Sequence, residues 1–359
     1  MQSLRPWTLQ PSDPLVPRTI HVVGCHAEGE IGDVIVGGVL PPKGDTLFDQ
    51  MRTMEREHDH IRKLLLSEPR GSVARHVNLL VPSRHPDCAT GVIIMEPTEY
   101  VPSSGSNLIC VTTVLLETGI VDILEPETVV AIEAPGGVVR ARAKCAHGKC
   151  TSVELDNVPS FVDRLDATIE VGGVGSVTAD IAYGGMFYAI VDGTKLGFSI
   201  DASEARELAV MGEKIRRAAR EQLDVVHPGN AGIRGVSIVQ INRPFAGVGQ
   251  VTRNTCIVAP GRSDRSPTGT GLSARMAVLH ARGQMRIGDW MIHESLIGSR
   301  FKGSILGETS IGGRTAIFPT IEGRAWITGF HQYVLHESDP WPQGYVLNDT
   351  YGISGSREQ

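Results

Sequence analysis

The chain has 359 residues, 41% of them hydrophobic, enough to bury a substantial core and fill two ordinary domains, which argues against a disordered polymer. Its formal charge is −6 and its Lys and Arg residues are scattered, so it carries no basic footprint for nucleic acid and none for a membrane surface. Aromatic residues make up only 5%, against 41 glycines, a balance suited to tight turns and small-residue packing. No apolar run approaches the length of a membrane span. Met1–Pro17 is polar and Pro-rich and lacks a charged segment followed by an apolar one. A secretory leader is therefore not expected, and a cytoplasmic location is. Of the six cysteines (Cys25, Cys88, Cys110, Cys145, Cys150 and Cys256) only Cys145 and Cys150 are close, and not at a zinc-knuckle spacing. They read as thiols of a reducing compartment and not as a metal or disulfide framework.

Thr19–Val23 reads as an opening strand, followed by a polar loop over Cys25–Asp33 and a strand over Val34–Val39. Thr46–Leu66 places Met51, Met54, Ile61 and Leu65 at helical spacing among charges, an amphipathic helix that Ser67-Glu-Pro-Arg-Gly71 ends. Short strands follow at Asn78–Val81 and Gly91–Met95. Gly105–Ile120 is a helix of a different kind. Leu108, Ile109, Cys110, Val111, Val114, Leu115 and Leu116 leave it almost no polar face, which predicts burial on all sides. Thr118-Gly119 is its stop signal. Val129–Ala189 is strand-like, Asp201–Leu223 a second surface helix, and Val236–Ile241 and Asn254–Val258 are strands. Gly269–Gln284 is a second buried helix, and the remainder to about Val334 is rich in strands and Gly turns. The order of elements thus occurs twice without a residue-level repeat. The expected fold is α+β, in two pseudo-symmetric halves that each wrap a sheet around one central apolar helix. The halves divide as 1–160, completed by the closing segment 335–359, and 161–334.

Each buried helix opens from a compact polar turn, Val101-Pro-Ser-Ser-Gly-Ser-Asn107 and Ser263-Asp-Arg-Ser-Pro-Thr-Gly-Thr-Gly271. In both a hydroxyl residue stands directly before Gly: Ser104 before Gly105, and Thr268 before Gly269. A helix start offers unpaired N–H groups and the positive end of the dipole, and Gly lets a ligand approach that backbone. Two such starts facing each other would hold a carboxylate. Either turn alone is also explained by the preference of Ser and Thr for N-caps.

At these positions the chain resembles the proline racemase family, and the resemblance extends over almost its whole length. The first turn corresponds to the family's Met-Cys-Gly-His, here Ser103-Ser104-Gly105-Ser106, with the helix ending at Glu117-Thr118-Gly119. The second corresponds to Asp-Arg-Ser-Pro-Cys-Gly-Thr-Gly, here with Thr268 at the cysteine. His26-Ala-Glu-Gly-Glu30, Glu68-Pro-Arg-Gly71, Gly184-Gly-Met-Phe-Tyr-Ala-Ile-Val-Asp192 and Gly323-Arg-Ala-Trp-Ile-Thr-Gly-Phe-His331 are also family-like. The resemblance implies a two-half fold shared with diaminopimelate epimerase and an active site between the halves. It also implies two cysteines acting as base and acid on opposite faces of the substrate, with no cofactor or metal. Here Ser104 and Thr268 replace both cysteines, Ser106 replaces a His and Asn107 a Gly, while Cys110, two turns into the apolar helix, reads as core.

A thiol, with a pKa of about 8.5, can accept or donate a proton near neutrality, and a Thr hydroxyl cannot do so readily. The family includes trans-3-hydroxy-L-proline dehydratases with Thr at the second position, whose chemistry needs one base. The α-proton leaves, the 3-hydroxyl departs as water, and the product becomes Δ1-pyrroline-2-carboxylate. The expectation is therefore a cofactor-independent dehydratase. A 4-hydroxyproline 2-epimerase or proline racemase is the alternative, and a catalytically weak binder of proline-like ligands a third. Ser104 is expected as proton acceptor, with His26 or His227 as conceivable helpers, and Thr268 as hydrogen-bond partner of the departing hydroxyl. Gly105, Ser106, Gly269 and Thr270 are expected to hold the carboxylate and Asp264 the ring ammonium. The expected partner is a small substrate, hydroxyproline or proline, with no nucleic acid and no membrane; a homodimer is left open.

Overall fold

The computed structural model describes residues 19–336 and 338–347. The lead-in Met1–Pro17 and residues 348–359 of the closing segment lie outside the described residues. The chain opens with β1 (Ile20–Ala27), β2 (Glu30–Gly37), α1 (Leu47–Glu57), α2 (Asp59–Leu66), β3 (Arg75–Val81), β4 (Thr90–Met95) and β5 (Tyr100–Val101). The buried helix α3 (Gly105–Glu117) and strands β6 (Glu127–Ala134), β7 (Gly137–Ala146) and β8 (Lys149–Asp156) follow. Next come β9 (Ser160–Val171), β10 (Gly175–Tyr183), β11 (Phe187–Asp192), α4 (Ala205–Gln222), β12 (Val226–His227), β13 (Asn230–Arg234), β14 (Ile238–Asn242), β15 (Val251–Val258) and β16 (Arg262–Ser263). The second buried helix α5 (Gly269–Ala281) then leads to β17 (Trp290–Glu294), β18 (Arg300–Ile311), β19 (Arg314–Gly323) and β20 (Ala325–Tyr333).

Strand pairing gives the two halves one plan. In the second, β9, β10 and β11 run antiparallel, β11 meets β14 in parallel, β14 meets β15 antiparallel, and β15 meets β17 in parallel. Then β17, β18 and β19 are antiparallel, and β19 returns to β9, closing a ring around α5. The first half has the same sequence of pairings: β20, β1 and β2 antiparallel, β2–β3 parallel, β3–β4 antiparallel, β4–β6 parallel, then β6, β7 and β8 antiparallel. By this correspondence β20 takes in the first ring the place of β9 in the second. Residues 325–333, grouped with the second half on sequence, therefore lie in the first, because their pairing with β1 decides their place and not their position along the chain. Pairing of β8 with the far end of β19 joins the rings.

Each ring packs on its helix. α3 lies against β1, β2, β8 and β20, and α5 against β9, β10, β18 and β19. Every residue of α3 from Gly105 to Leu116 is buried, as is every residue of α5 from Gly269 to Leu279, polar residues such as Asn107 and Arg275 among them. Polar groups inside α3 are satisfied locally: the hydroxyls of Thr112 and Thr113 donate to the carbonyls of Leu108 and Ile109 at 2.7 and 2.9 Å. The strands alternate as one-sided sheets do; β7 turns Val139, Ala141, Ala143 and Cys145 inward.

Two expected elements differ. Cys25–Asp33 is no loop: β1 and β2 form a hairpin that turns at Glu28 and Gly29, both at positive φ (48° and 100°), the left-handed pair that a two-residue turn needs. Buried acids inside the strands, Glu30 and Asp33, hid the alternation. The helix expected over Thr46–Leu66 breaks at His58 into α1 and α2, and Thr46 opens it with a reciprocal capping box to Asp49. Among the described residues no helix is long and apolar enough to cross a membrane.

Candidate active site

The two rings bring the starts of α3 and α5 into backbone contact. A Cβ built on Gly105 would lie 3.0 Å from the Cα of Gly269, and one built on Gly269 would lie 3.1 Å from the Cα of Gly105. Only residues without side chains allow this approach, and it points two positive helix ends at one spot. Gly184, between β10 and β11, adds a third close backbone: its Cβ would sit 2.1 Å from the Thr270 carbonyl oxygen. Ser104, Ser106, Asp264, Thr268 and Thr270, all expected site residues, are gathered here and buried.

Ser104 is the extended N-cap residue of α3, yet its side chain does not cap the helix. Instead Asn107 Nδ2 donates to Ser104 Oγ at 2.9 Å. The same Nδ2 lies 3.1 Å from His76 Nδ1, and Asn107 Oδ1 accepts from Asn78 Nδ2 at 2.8 Å. Beyond the ring, His76 Nε2 lies 2.6 Å from Arg262 Nη2 and 3.5 Å from Glu30 Oε1. Arg262 pairs with Glu30 at 2.5 Å, and Glu30 also accepts from the Arg265 backbone N–H at 2.7 Å. A continuous buried network thus runs from the first helix start to the turn that leads into the second.

Thr268 sits at φ 63°, a conformation that strains a β-branched residue by about 1–3 kcal/mol and that surrounding contacts must hold. Its hydroxyl donates to Asp264 Oδ2 at 2.7 Å. Asp264 Oδ1 accepts from Ser266 N–H at 2.8 Å and from Ser266 Oγ at 2.9 Å. Thr270 Oγ1 shares a 2.5 Å hydrogen bond with Tyr188 OH.

Three buried carboxyls therefore surround one guanidinium. Burial opposes the ionisation of Glu30, but Arg262, His76 and its hydrogen bonds outweigh it and hold Glu30 down to about 2. Burial and the Glu30 carboxylate push Asp264 up to about 8, against the pull of Arg262 and Thr268. Burial, with Glu99 nearby, raises Glu96 well above the carboxylate range. Burial brings the His76 imidazole down to about 4, against the pull of Glu30. Ser103 Oγ and Arg262 Nε are buried with no hydrogen-bond partner among the described residues.

His26 and His227 are engaged away from Ser104. His26 stacks on Trp326 and accepts from the Gly29 N–H, while His227 lies edge-on to Tyr183 and Phe161. Cys110 is fully buried in the core around α3. The residues that sequence reasoning missed are His76, Arg262, Asn78 and Glu96. The available signal was a charged or polar residue inside an apolar strand, as with His76 and Asn78 beside Val77 and Leu79. A cavity of about 1110 Å³ lies against the segment entering α3, lined by Val101, Pro102 and Met186 and by Arg216 and Arg220 of α4. Neither Ser104 nor Thr268 lines it.

Two rings of one plan, whose central helices meet start to start with Ser104 at one start and Thr268 at the other, make an epimerase-like fold. The chain belongs to the proline racemase family, whose model, described as "Proline racemase", matches residues 22–346. It is similar to a probable proline racemase from Agrobacterium radiobacter K84, solved with bound carbonate, at 43% identity and a TM-score of 0.89, covering 93% of this chain and 98% of that one. It is likewise similar to a hydroxyproline epimerase from Agrobacterium vitis, solved with bound trans-4-hydroxy-L-proline, at 42% identity and a TM-score of 0.89, covering 94% and 98%. A PhzF-family protein from Bacillus anthracis, at 13% identity and a TM-score of 0.55 over 89% of this chain and all of that one, shares the fold.

Proposed function

We propose that this protein is a trans-3-hydroxy-L-proline dehydratase that forms Δ1-pyrroline-2-carboxylate and water. The observation that carries the reading is the pair Ser104 and Thr268: both positions where the family resemblance expects thiols hold hydroxyls, one at each of two abutting helix starts. Racemisation asks two groups to exchange protons near neutrality, and elimination asks for one base and a route for the leaving group. The substrate carboxylate would sit at Gly105, Ser106, Gly269 and Thr270, where the helix ends stabilise charge that develops as the α-proton leaves. Asp264, the acid beside the second start, would face the ring ammonium. Carbonate and trans-4-hydroxy-L-proline, held by the two Agrobacterium relatives, each carry an anionic group of the kind such a site would take.

The similarity to a hydroxyproline epimerase favours a second reading, 4-hydroxyproline 2-epimerase or proline racemase. Separate incubations with trans-3-hydroxy-L-proline, trans-4-hydroxy-L-proline and L-proline decide between them. Pyrroline formed from the first, with unchanged optical rotation of the other two, supports dehydration; changed rotation without pyrroline replaces it by the second reading. Pyrrole-2-carboxylate, a planar mimic of the deprotonated intermediate, should raise the melting temperature. No shift at saturating concentration counts against any proline-like substrate.

A further inference from the structure

Ser104 and Thr268 stand at the same place in their helices, and each gives its backbone carbonyl to the N–H four residues on, Leu108 and Leu272, at 3.0 Å. Ser104 does so from an extended backbone, φ −152° and ψ 118°, as N-cap residues usually do. Thr268 does so from φ 63° and ψ 108°. A helix start therefore does not demand the left-handed bend, and a β-branched residue resists it, so contacts outside the helix must hold it. Part of the hold is local. The Thr268 N–H donates to Ser266 Oγ at 3.1 Å, and the Thr268 hydroxyl is hydrogen-bonded to Asp264 Oδ2 at 2.7 Å. Those partners belong to the same short turn and can move with it. The turn is in addition pinned to β15 at two points. The Asp264 N–H donates to the Cys256 carbonyl at 2.8 Å, and Asn254 Nδ2 donates to the Pro267 carbonyl at 3.0 Å. A carbonyl can only accept, which fixes the way the Asn254 amide points. This second pin grips the peptide that enters Thr268. Asn254 is fully buried and paired across the sheet with Asn242 of β14, so the anchor is part of the ring and not of the turn. His293 of β17 faces the same carbonyl, but outside hydrogen-bonding geometry.

We infer that Asn254 is a positioning residue of this site: by holding the Pro267 carbonyl it keeps Thr268 left-handed, and so keeps the Thr268 hydroxyl beside Asp264 where the two helix starts meet. The inference rests on the place given to Thr268 in the function proposed above, and it holds for elimination and for epimerisation alike. Asn254 touches no substrate and acts through Thr268. Without its N–H, rotation of the peptide between Pro267 and Thr268 relieves the strain, and Thr268 relaxes towards the extended backbone that Ser104 already has. Its hydroxyl then leaves Asp264. Gly269 and Thr270 lie within the helix beyond the bend and keep their places. Loss of Asn254 should therefore slow the reaction while leaving the hold on a carboxylate intact.

Asn254→Leu keeps the size of the side chain and removes the donor. A crystal structure of this variant should show Thr268 outside the left-handed region. On whichever of trans-3-hydroxy-L-proline and trans-4-hydroxy-L-proline the unmodified protein turns over, kcat should fall about a hundredfold, the scale of a misplacement of about 1 Å, with KM and the affinity for pyrrole-2-carboxylate within about threefold. In a Thr268→Ala background no hydroxyl is left to place, so Asn254→Leu should lower the residual turnover by no more than about twofold, whereas a merely structural residue takes the same factor from both backgrounds. A second measurement needs no variant to fold: a crystal structure of the unmodified protein with pyrrole-2-carboxylate should keep the Asn254–Pro267 hydrogen bond and a left-handed Thr268. Thr268 staying left-handed in Asn254→Leu, equal losses in the two backgrounds, or the hydrogen bond broken in the ligand complex would each overturn the inference. Undiminished turnover in Thr268→Ala alone would instead overturn the place of Thr268 in the proposed function, and the two crystal structures would still decide what holds its backbone.

Discussion

Ser104 and Thr268 occupy corresponding places in two rings of the same plan, but their surroundings differ in kind. The Ser104 start is held by amides and an imidazole: Asn107, Asn78 and His76, all buried. The Thr268 start is held by a carboxyl, Asp264, and by a backbone at φ 63°. The amide side is neutral, and its Asn107 N–H donates to Ser104 Oγ. The acid side is strained at Thr268 and carries the buried Asp264 carboxyl. Pseudo-symmetry of the scaffold thus delivers two helix ends to one point, and the side chains behind them break the symmetry.

The largest expected effect comes from erasing that difference at the reacting atoms. Ser104→Cys with Thr268→Cys should restore two groups that each titrate near neutrality. The double variant should gain α-epimerisation of proline or 4-hydroxyproline and lose relative dehydratase activity, read as the ratio of α-deuterated epimer to pyrroline. No change in that ratio would mean the hydroxyls do not set the reaction type. Next in size is the network joining the two sides. Arg262→Ala leaves Glu30 buried without its partner and should cost about 3–5 kcal/mol in a denaturant titration. Glu30→Gln combined with it should recover part of that loss, and no recovery would place the cost elsewhere.

Smaller effects sharpen the contrast. Gly105→Ala puts a Cβ 3.0 Å from the Gly269 Cα, so the helix ends must part by a few tenths of an ångström. Turnover should fall about tenfold or more while secondary structure by circular dichroism is unchanged. The two sides should also respond oppositely to pH. Folding depresses His76 from 6.5 to about 4, so its contribution is present above pH 6.5 and lost as pH falls through 4. Folding raises Asp264 from 3.8 to about 8, so its contribution is complete below 3.8 and lost as pH rises through 8. Melting temperatures of His76→Gln should therefore gain on the unmodified protein as pH falls from 6.5 to 4, and those of Asp264→Asn as pH rises from 4 to 8. Parallel curves would contradict the assignment. Least of all, Thr268→Gly relieves strain but removes the buried hydrogen bond to Asp264, so the two effects should offset and leave stability within about 2 kcal/mol of the unmodified protein by denaturant titration.

Much of this was legible in the sequence, and for physical reasons. Leu108 to Leu116 and Leu272 to Leu279 are apolar nearly all round, so burial of both helices could be read directly, as could the Ser–Gly and Thr–Gly starts. Motifs around Gly105 and Gly269 carried the family. What could not be read were contacts made across long sequence distances. Arg262 meets Glu30 across 232 residues and His76 across 186, and the short strand that places Arg262 has no periodicity of its own. The hairpin at Glu28-Gly29 was hidden because its strands carry buried acids that belong to the site. The place of β20 in the first ring was hidden because strand partnership depends on register and not on order. His26 and His227 looked available because a histidine in a polar stretch gives no sign of what it stacks on.

The most direct measurement of the central claim is a competition in D2O. Equal concentrations of trans-3-hydroxy-L-proline and trans-4-hydroxy-L-proline are given to the unmodified protein and both α-proton signals are followed by NMR. The account predicts that the 3-hydroxy substrate disappears into pyrroline-2-carboxylate while the 4-hydroxy substrate keeps its configuration over the same time. Epimerisation of the 4-hydroxy substrate running faster than dehydration of the 3-hydroxy one would contradict it.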